Sequence, residues 1–210
     1  AAKTGLLNLD VIAGHGIWIT PEEIRLLAEH GTVIIHNPQA NMILGSGVCP
    51  LRQLETAGLP LGLGTDGAAS NDSHNMIEVL KLAGLLQKVH HLCPEASDAK
   101  SILTMGTIGG ARALGLEGET GSLEAGKSAD LLAFSTRTPG TAVVHDPYQQ
   151  IVYGSGTGDV EKVWIQGKAV LENGELTGVD LSAITQKARS LAKELATAAK
   201  LEKYSCLTSQ

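Results

Sequence analysis

The chain has 210 residues, 43% of them hydrophobic, which suffices to bury a core and excludes a disordered polypeptide. Its net charge of −6, from 16 basic and 22 acidic residues with no basic run, argues against a general nucleic-acid binder. The apolar stretches are shorter than the ~20 residues of a membrane span. No signal-peptide pattern opens the chain, and Cys49, Cys93 and Cys206 are scattered without a CxxC pair; both features point to a reducing, cytoplasmic setting without a membrane.

In chain order, short apolar runs alternate with helical stretches through the first ~90 residues, the pattern of parallel strands joined by helices. The run Asp10–Gly14 leads into His15. Thr20-Pro21-Glu22-Glu23 is a helix start: Thr20 caps, Pro21 sits where its missing N–H costs nothing, and Glu23 closes a capping box. Ile24, Leu27 and Ala28 share one face, and Gly31 ends the helix. Thr32–Ile35 is a second strand, leading into His36 and a loop rich in Asn, Gly and Ser. Pro50 opens a short helix with Leu51, Leu54 and Ala57, stopped by Gly58. Leu61–Gly64 is a third strand that delivers Thr65-Asp66-Gly67, and its unbroken apolar character is expected where both faces are covered. After Asp72, a longer helix carries Met76, Val79, Leu80, Ala83 and Leu86 at helical spacing.

Near Gly118 the character changes. Helices around Ile102 and Ala113 give way to short strands punctuated by glycine, including Ala129–Phe134 and Val160–Ile165. Thr136–Thr141 reads as a loop, and Glu172-Asn173-Gly174 as a tight hairpin turn. A last helix is expected from about Asp180 to Lys200, with an apolar stripe of Leu181, Ile184, Ala188, Leu191 and Leu195.

Three polar residues stand at strand ends: His15, His36 and Asp66. In a parallel β/α layout the C-terminal strand ends form the active face. A lone strand-end His is more often structural, and an Asp before Gly often only makes a turn; their shared position on one face raises all three above that background. His30, His74, His90 and His91 are weaker candidates: His30 sits at a helix C-terminus, where a cation is mildly favoured, and His90 and His91 read as solvent-facing loop residues with side chains pointing apart. Cys49 has no basic neighbour and is not read as a nucleophile.

The segments Ala13-Gly14-His15-Gly16-Ile17-Trp18, His36-Asn37-Pro38-Gln39-Ala40-Asn41, Leu63-Gly64-Thr65-Asp66-Gly67-Ala68-Ala69-Ser70-Asn71 and Gly121–Leu131 occur in that order. Together they resemble the amidohydrolase superfamily, in particular its methylthioadenosine/S-adenosylhomocysteine deaminases and the related triazine hydrolases. The resemblance covers nearly the whole chain, ending around the Val160–Gly174 hairpin. It implies an α/β fold: the C-terminal part of a metal-dependent (β/α)8 barrel over residues 1–117, a small β-rich domain segment over 118–178, and a C-terminal helix and tail over 179–210. It also implies a divalent metal, Zn2+ or another such as Fe2+ or Mn2+, with Asp66 as a ligand and proton acceptor and His15 as a catalytic residue. Substrate-binding residues are not indicated.

The resemblance further implies hydrolytic deamination of a small adenosine-type substrate, with release of ammonia, in a homo-oligomeric complete enzyme. A guanine- or triazine-type hydrolase and a non-catalytic half-barrel are the alternatives. The family's His-x-His and His-x-x-Glu pairs occur nowhere in this sequence, and Ala40 and Ile43 replace its usual Ser and polar residue. The resemblance therefore implies that the remaining ligands lie upstream of Ala1, and for want of them the isolated chain is expected to be inactive.

Overall fold

The computed structural model describes residues 2–199. Two short 3-10 turns, Ala2–Thr4 and Leu6–Asn8, precede the first strand. Strand β1 (Ile12–Gly14), helix α1 (Pro21–Glu29) and strand β2 (Val33–His36) follow. Then come α2 (Pro38–Ile43), α3 (Leu51–Thr56) and β3 (Leu61–Leu63). The three strands form a parallel sheet in the order β1-β2-β3, with Ile12 opposite Val33 and Ile34 opposite Leu61. Sequential order in a parallel sheet forces every strand to run the same way, so the ends that carry His15, His36 and Thr65-Asp66 lie along one edge.

The capping box at α1 forms as its sequence dictates. Glu23 N–H donates to Thr20 Oγ1 at 3.3 Å, and Thr20 N–H donates back to Glu23 Oε2 at 2.8 Å. The stretch after His36 is a correction: residues expected as loop form α2. Pro38 at its first turn fixes φ for helix entry, and Gln39, Ala40 and Met42 all favour the helix, which outweighs the two asparagines.

Beyond β3 lie α4 (Ala68–Asn71) and α5 (Met76–His91), the latter capped by Asn75 Oδ1 accepting from the N–H groups of Ile77 and Glu78. Helix α6 (Ala99–Thr104) runs through a π-helical turn (Met105–Gly109) into α7 (Gly110–Ala113). At Gly109 this helical run packs directly on β3: a Cβ there would meet the Leu61 carbonyl oxygen. The core gathers Ile34, Leu54, Leu63, Val79, Ile102 and Val152, and Val152 comes from a second π-helical turn, Gln150–Gly154.

The second sheet is antiparallel, in the order β4 (Leu131–Phe134), β5 (Val160–Ile165), β6 (Lys168–Glu172), β7 (Glu175–Leu176); α8 (Pro147–Gln149) lies between β4 and β5 in sequence. Asn173 and Gly174 both take positive φ, 52° and 83°, as a two-residue hairpin turn needs. The Gly126–Asp130 run is a structural brace here. Asp130 accepts from Thr120 Oγ1 at 2.9 Å and from the Gln166 N–H at 2.7 Å, and Lys127 Nζ donates to the Glu117 carbonyl at 2.6 Å.

Helix α9 (Leu181–Ala198) starts at Asp180, whose carboxylate accepts from the Ala183 N–H at 2.9 Å. Its apolar stripe is real by periodicity, yet Leu181, Ile184, Leu191 and Leu195 are all exposed among the described residues. Lys200 and Cys206 lie outside the described residues. No helix of the described residues is long and apolar enough to cross a membrane.

Candidate active site at the strand ends

His15 follows β1 directly, and Asp66 stands three residues beyond β3. Both adopt left-handed backbone, φ 66° and 63°. For a residue with a Cβ this conformation costs on the order of 1 kcal/mol or more, and it persists only where surrounding bonds hold it. At His15 the holding bond runs from its N–H to the Ile35 carbonyl, 2.8 Å. At Asp66 the Gly67 N–H donates to Oδ1 at 2.7 Å. The two turns bring the side chains together: His15 Nε2 lies 3.7 Å from Asp66 Oδ2. Both are partly open to solvent, so a reacting molecule can reach them.

The Asp66 carboxyl is held below the usual carboxylate range. The hydrogen bond from the Gly67 backbone contributes most, then that from Ser70, and the charge of His15 adds to them. An ionised carboxylate with one oxygen tied down and the other turned to an imidazole can accept a proton or ligate a cation.

Buried amides support this pair. His15 Nδ1 lies 2.8 Å from Asn41 Oδ1. Asn71 donates through Nδ2 to the Thr65 carbonyl, and the Asn71 carbonyl in turn accepts from Gln39 Nε2 at 3.3 Å. Asn41 and Asn71 are almost fully buried. His74 also reaches the site's margin, with Nδ1 3.2 Å from Thr65 Oγ1. None of these residues was assigned a role from sequence. Asn41 and Asn71 lie inside the quoted segments, but an Asn in a polar run carries no signal of what it will touch across the fold.

His36 shares the edge but not the opening. It is fully buried, and neither ring nitrogen finds a hydrogen-bond partner among the described residues. Burial, with a smaller contribution from the nearby His15 charge, pushes its pKa down to about 4. It is a neutral core histidine behind the site. His90 and His91 are exposed in the last turn of α5, and their rings meet edge to face at 4.9 Å rather than pointing apart. His30 is half-buried, with Nδ1 2.8 Å from the Leu26 carbonyl one turn back in α1. Burial pushes the Cys49 thiol up to about 12, which removes it as a nucleophile.

A carboxylate oxygen and an imidazole nitrogen are ligand types that zinc takes, and Asp66 and His15 converge at the same opening. Among the described residues no group of three or more His, Cys, Asp or Glu could hold a metal ion. The pair therefore fits as one side of a metal site.

Residues 1–170 match the model of the amidohydrolase family. The chain is 39% identical over 193 residues to a 5-methylthioadenosine/S-adenosylhomocysteine deaminase of Desulforudis audaxviator, covering 92% of this chain and 45% of that protein. It is 40% identical over 200 residues to a 5'-deoxyadenosine deaminase of Methanobrevibacter smithii, covering 93% and 45%. A crystal structure of an adenosine deaminase from Xanthomonas campestris with bound zinc superposes with a TM-score of 0.89 at 38% identity, covering 93% of this chain and 45% of that one. Atrazine chlorohydrolase from Arthrobacter aurescens TC1, complexed with zinc, superposes with a TM-score of 0.81 at 31% identity, covering 86% and 40%. The chain thus spans less than half the length of these relatives. With this match and the strand-end His and Asp on one opening, the chain belongs to the amidohydrolase family.

Proposed function

We propose that this chain supplies the Asp66–His15 side of the active site of a metal-dependent hydrolytic deaminase that acts on an adenosine-type substrate, methylthioadenosine or S-adenosylhomocysteine. The observation that carries the reading is the convergence of His15 Nε2 and Asp66 Oδ2 at 3.7 Å at the strand ends. The deaminase names of the relatives support the reaction class, and the zinc in two similar structures supports the metal. Asp66 with His15 beside it does not make a catalytic zinc site, which takes three protein ligands and one open position. The remaining ligands therefore come from polypeptide outside these residues, and residues 1–117 form the last βα units of a (β/α)8 barrel whose β-rich companion includes 118–178. We place the enzyme in the cytoplasm, as a homo-oligomer.

When bound, a divalent ion such as Zn2+ lowers the pKa of its water to about 7, and so supplies a nucleophile at neutral pH. Asp66, kept ionised by the Gly67 N–H and the Ser70 hydroxyl, accepts the proton shed as water adds to the amine-bearing ring carbon. His15, facing it through Nε2, takes that proton up, stabilises as the imidazolium the negative charge that develops, and passes the proton toward the departing amine. One C–O bond forms, one C–N bond breaks, and ammonia leaves with the transferred proton.

A second reading, a triazine-type hydrolase with chloride as leaving group, is favoured by the 31% identity to atrazine chlorohydrolase. A panel of methylthioadenosine, S-adenosylhomocysteine, guanine and a chlorotriazine separates the two in the zinc-loaded complete enzyme, with the polypeptide that supplies the remaining ligands present. Ammonia release from the first two, abolished by a chelator, is expected. Chloride release without ammonia would transfer the assignment to the second reading. Zinc-independent inertness toward the whole panel, with no metal found by elemental analysis, would leave a non-catalytic half-barrel.

A further inference from the structure

We propose that Asn41 is a positioning residue for His15: its side-chain oxygen holds the imidazole with Nδ1–H turned inward and Nε2 turned to Asp66. The inference deepens the reading of His15 as part of the deaminase site. The contact itself is short and buried at one end, Nδ1 to Asn41 Oδ1 at 2.8 Å with Asn41 only 1% exposed. A carbonyl oxygen only accepts, so the ring nitrogen facing it must carry the proton. The other nitrogen, Nε2, is then the one free to gain or give a proton, and it is the one 3.7 Å from Asp66. A second-shell group that fixes one ring nitrogen sets the orientation and the role of the other.

Asn41 is itself held firmly. Its N–H donates to the Asn37 carbonyl at 3.0 Å and its own carbonyl accepts from Ser46 N–H at 2.9 Å. Pro38, at the start of the same helix, is fully buried. Two residues before Asn41, Gln39 reaches Asn71, which bonds the carbonyl of Thr65, the residue preceding Asp66. The short helix α2 therefore orients both members of the pair, one through each amide. The amide nitrogen Nδ2 of Asn41 has no partner among the described residues. The opposite amide orientation would present that nitrogen to His15 and force the proton onto Nε2, which is the alternative the experiment must exclude.

The test is the tautomer of His15 in the intact protein, read from imidazole 15N shifts with the signal assigned by its loss in His15→Asn. Above about pH 8.5, where an ordinary imidazole is neutral, the protein should show a protonated Nδ1 and a bare Nε2. Asn41→Asp, which keeps an accepting oxygen, should preserve that state; Asn41→Leu and the shorter Asn41→Ser should lose it. In the zinc-loaded deaminase, loss of the oxygen should lower kcat by about 100-fold with KM within about threefold, and Asn41→Asp should restore most of it, on the scale of other outer-shell partners. A protonated Nε2 in the unaltered protein overturns the proposal, as does an unchanged tautomer in folded Asn41→Leu or Asn41→Ser. Should the tautomer behave as stated in a protein that deaminates nothing, the functional reading fails and the positioning role stands.

Discussion

Buried His36 makes the stability of this protein fall with acidity in a window that can be calculated. In the fold its pKa is pushed down to about 4 from an ordinary 6.5, chiefly by burial and secondarily by the His15 charge. Between those values the unfolded chain takes up a proton that the folded chain refuses. The unfolded state therefore gains relative stability as pH drops, and folding is favoured by the neutral ring only above the window. At ~1.4 kcal/mol per pKa unit, the full window is worth about 3 kcal/mol, of which about 2 kcal/mol is lost between pH 7 and about pH 4.5. Carboxylates such as Asp66, Asp130 and Asp159, whose pKa values are lowered by hydrogen bonds, add their own loss at still lower pH. The comparison that isolates His36 is His36→Leu. Neither ring nitrogen has a partner among the described residues, so the change removes unpaired polar atoms and need not cost stability at pH 7. Urea unfolding followed by circular dichroism, on both proteins at both pH values, gives the difference directly. His36→Leu should gain about 2 kcal/mol on the unaltered protein on going to about pH 4.5. Parallel pH profiles would refute the reasoning and mean that the ring is charged or solvated in the fold.

Asp66→Asn should lower turnover by several orders of magnitude in the zinc-loaded enzyme, since it removes the proton acceptor and weakens a ligand; near-normal ammonia release at full metal content would remove Asp66 from that role. His15→Asn should reduce turnover far more than zinc occupancy, measured side by side by ammonia release and elemental analysis; lost metal with unchanged turnover per bound ion would make it a ligand instead. Gly109→Ala should destabilise by about 1–3 kcal/mol in urea unfolding, because the added methyl meets the Leu61 carbonyl where the helix crosses β3; an unchanged midpoint would contradict that close approach.

What the sequence determined by itself is the set of features closed within a few residues. Thr20 and Glu23 stand three apart and satisfy each other's backbone groups, so the start of α1 was legible without any fold. Asn173-Gly174 carries its own positive-φ preference, and the run Leu61–Leu63 its own demand for cover on both faces. His15, His36 and Asp66 could be singled out because strand ends are readable from apolar runs. Helix α2 escaped because two turns of mixed polarity have no periodicity to read, and its Asn and Gly neighbours favour loop.

Tertiary structure alone decided which of the three strand-end residues meet at an opening and which is buried. His36 and His15 look alike in sequence, yet one is sealed in the core and the other opens toward Asp66, because burial depends on what packs over each strand. The amide on His15 comes from 26 residues away, and only the parallel pairing of β1 with β2 brings α2 to it. Helix α9 is the converse case: its stripe follows from sequence spacing, but periodicity specifies only that a face is apolar, and whether it is covered depends on what the rest of the chain sets against it.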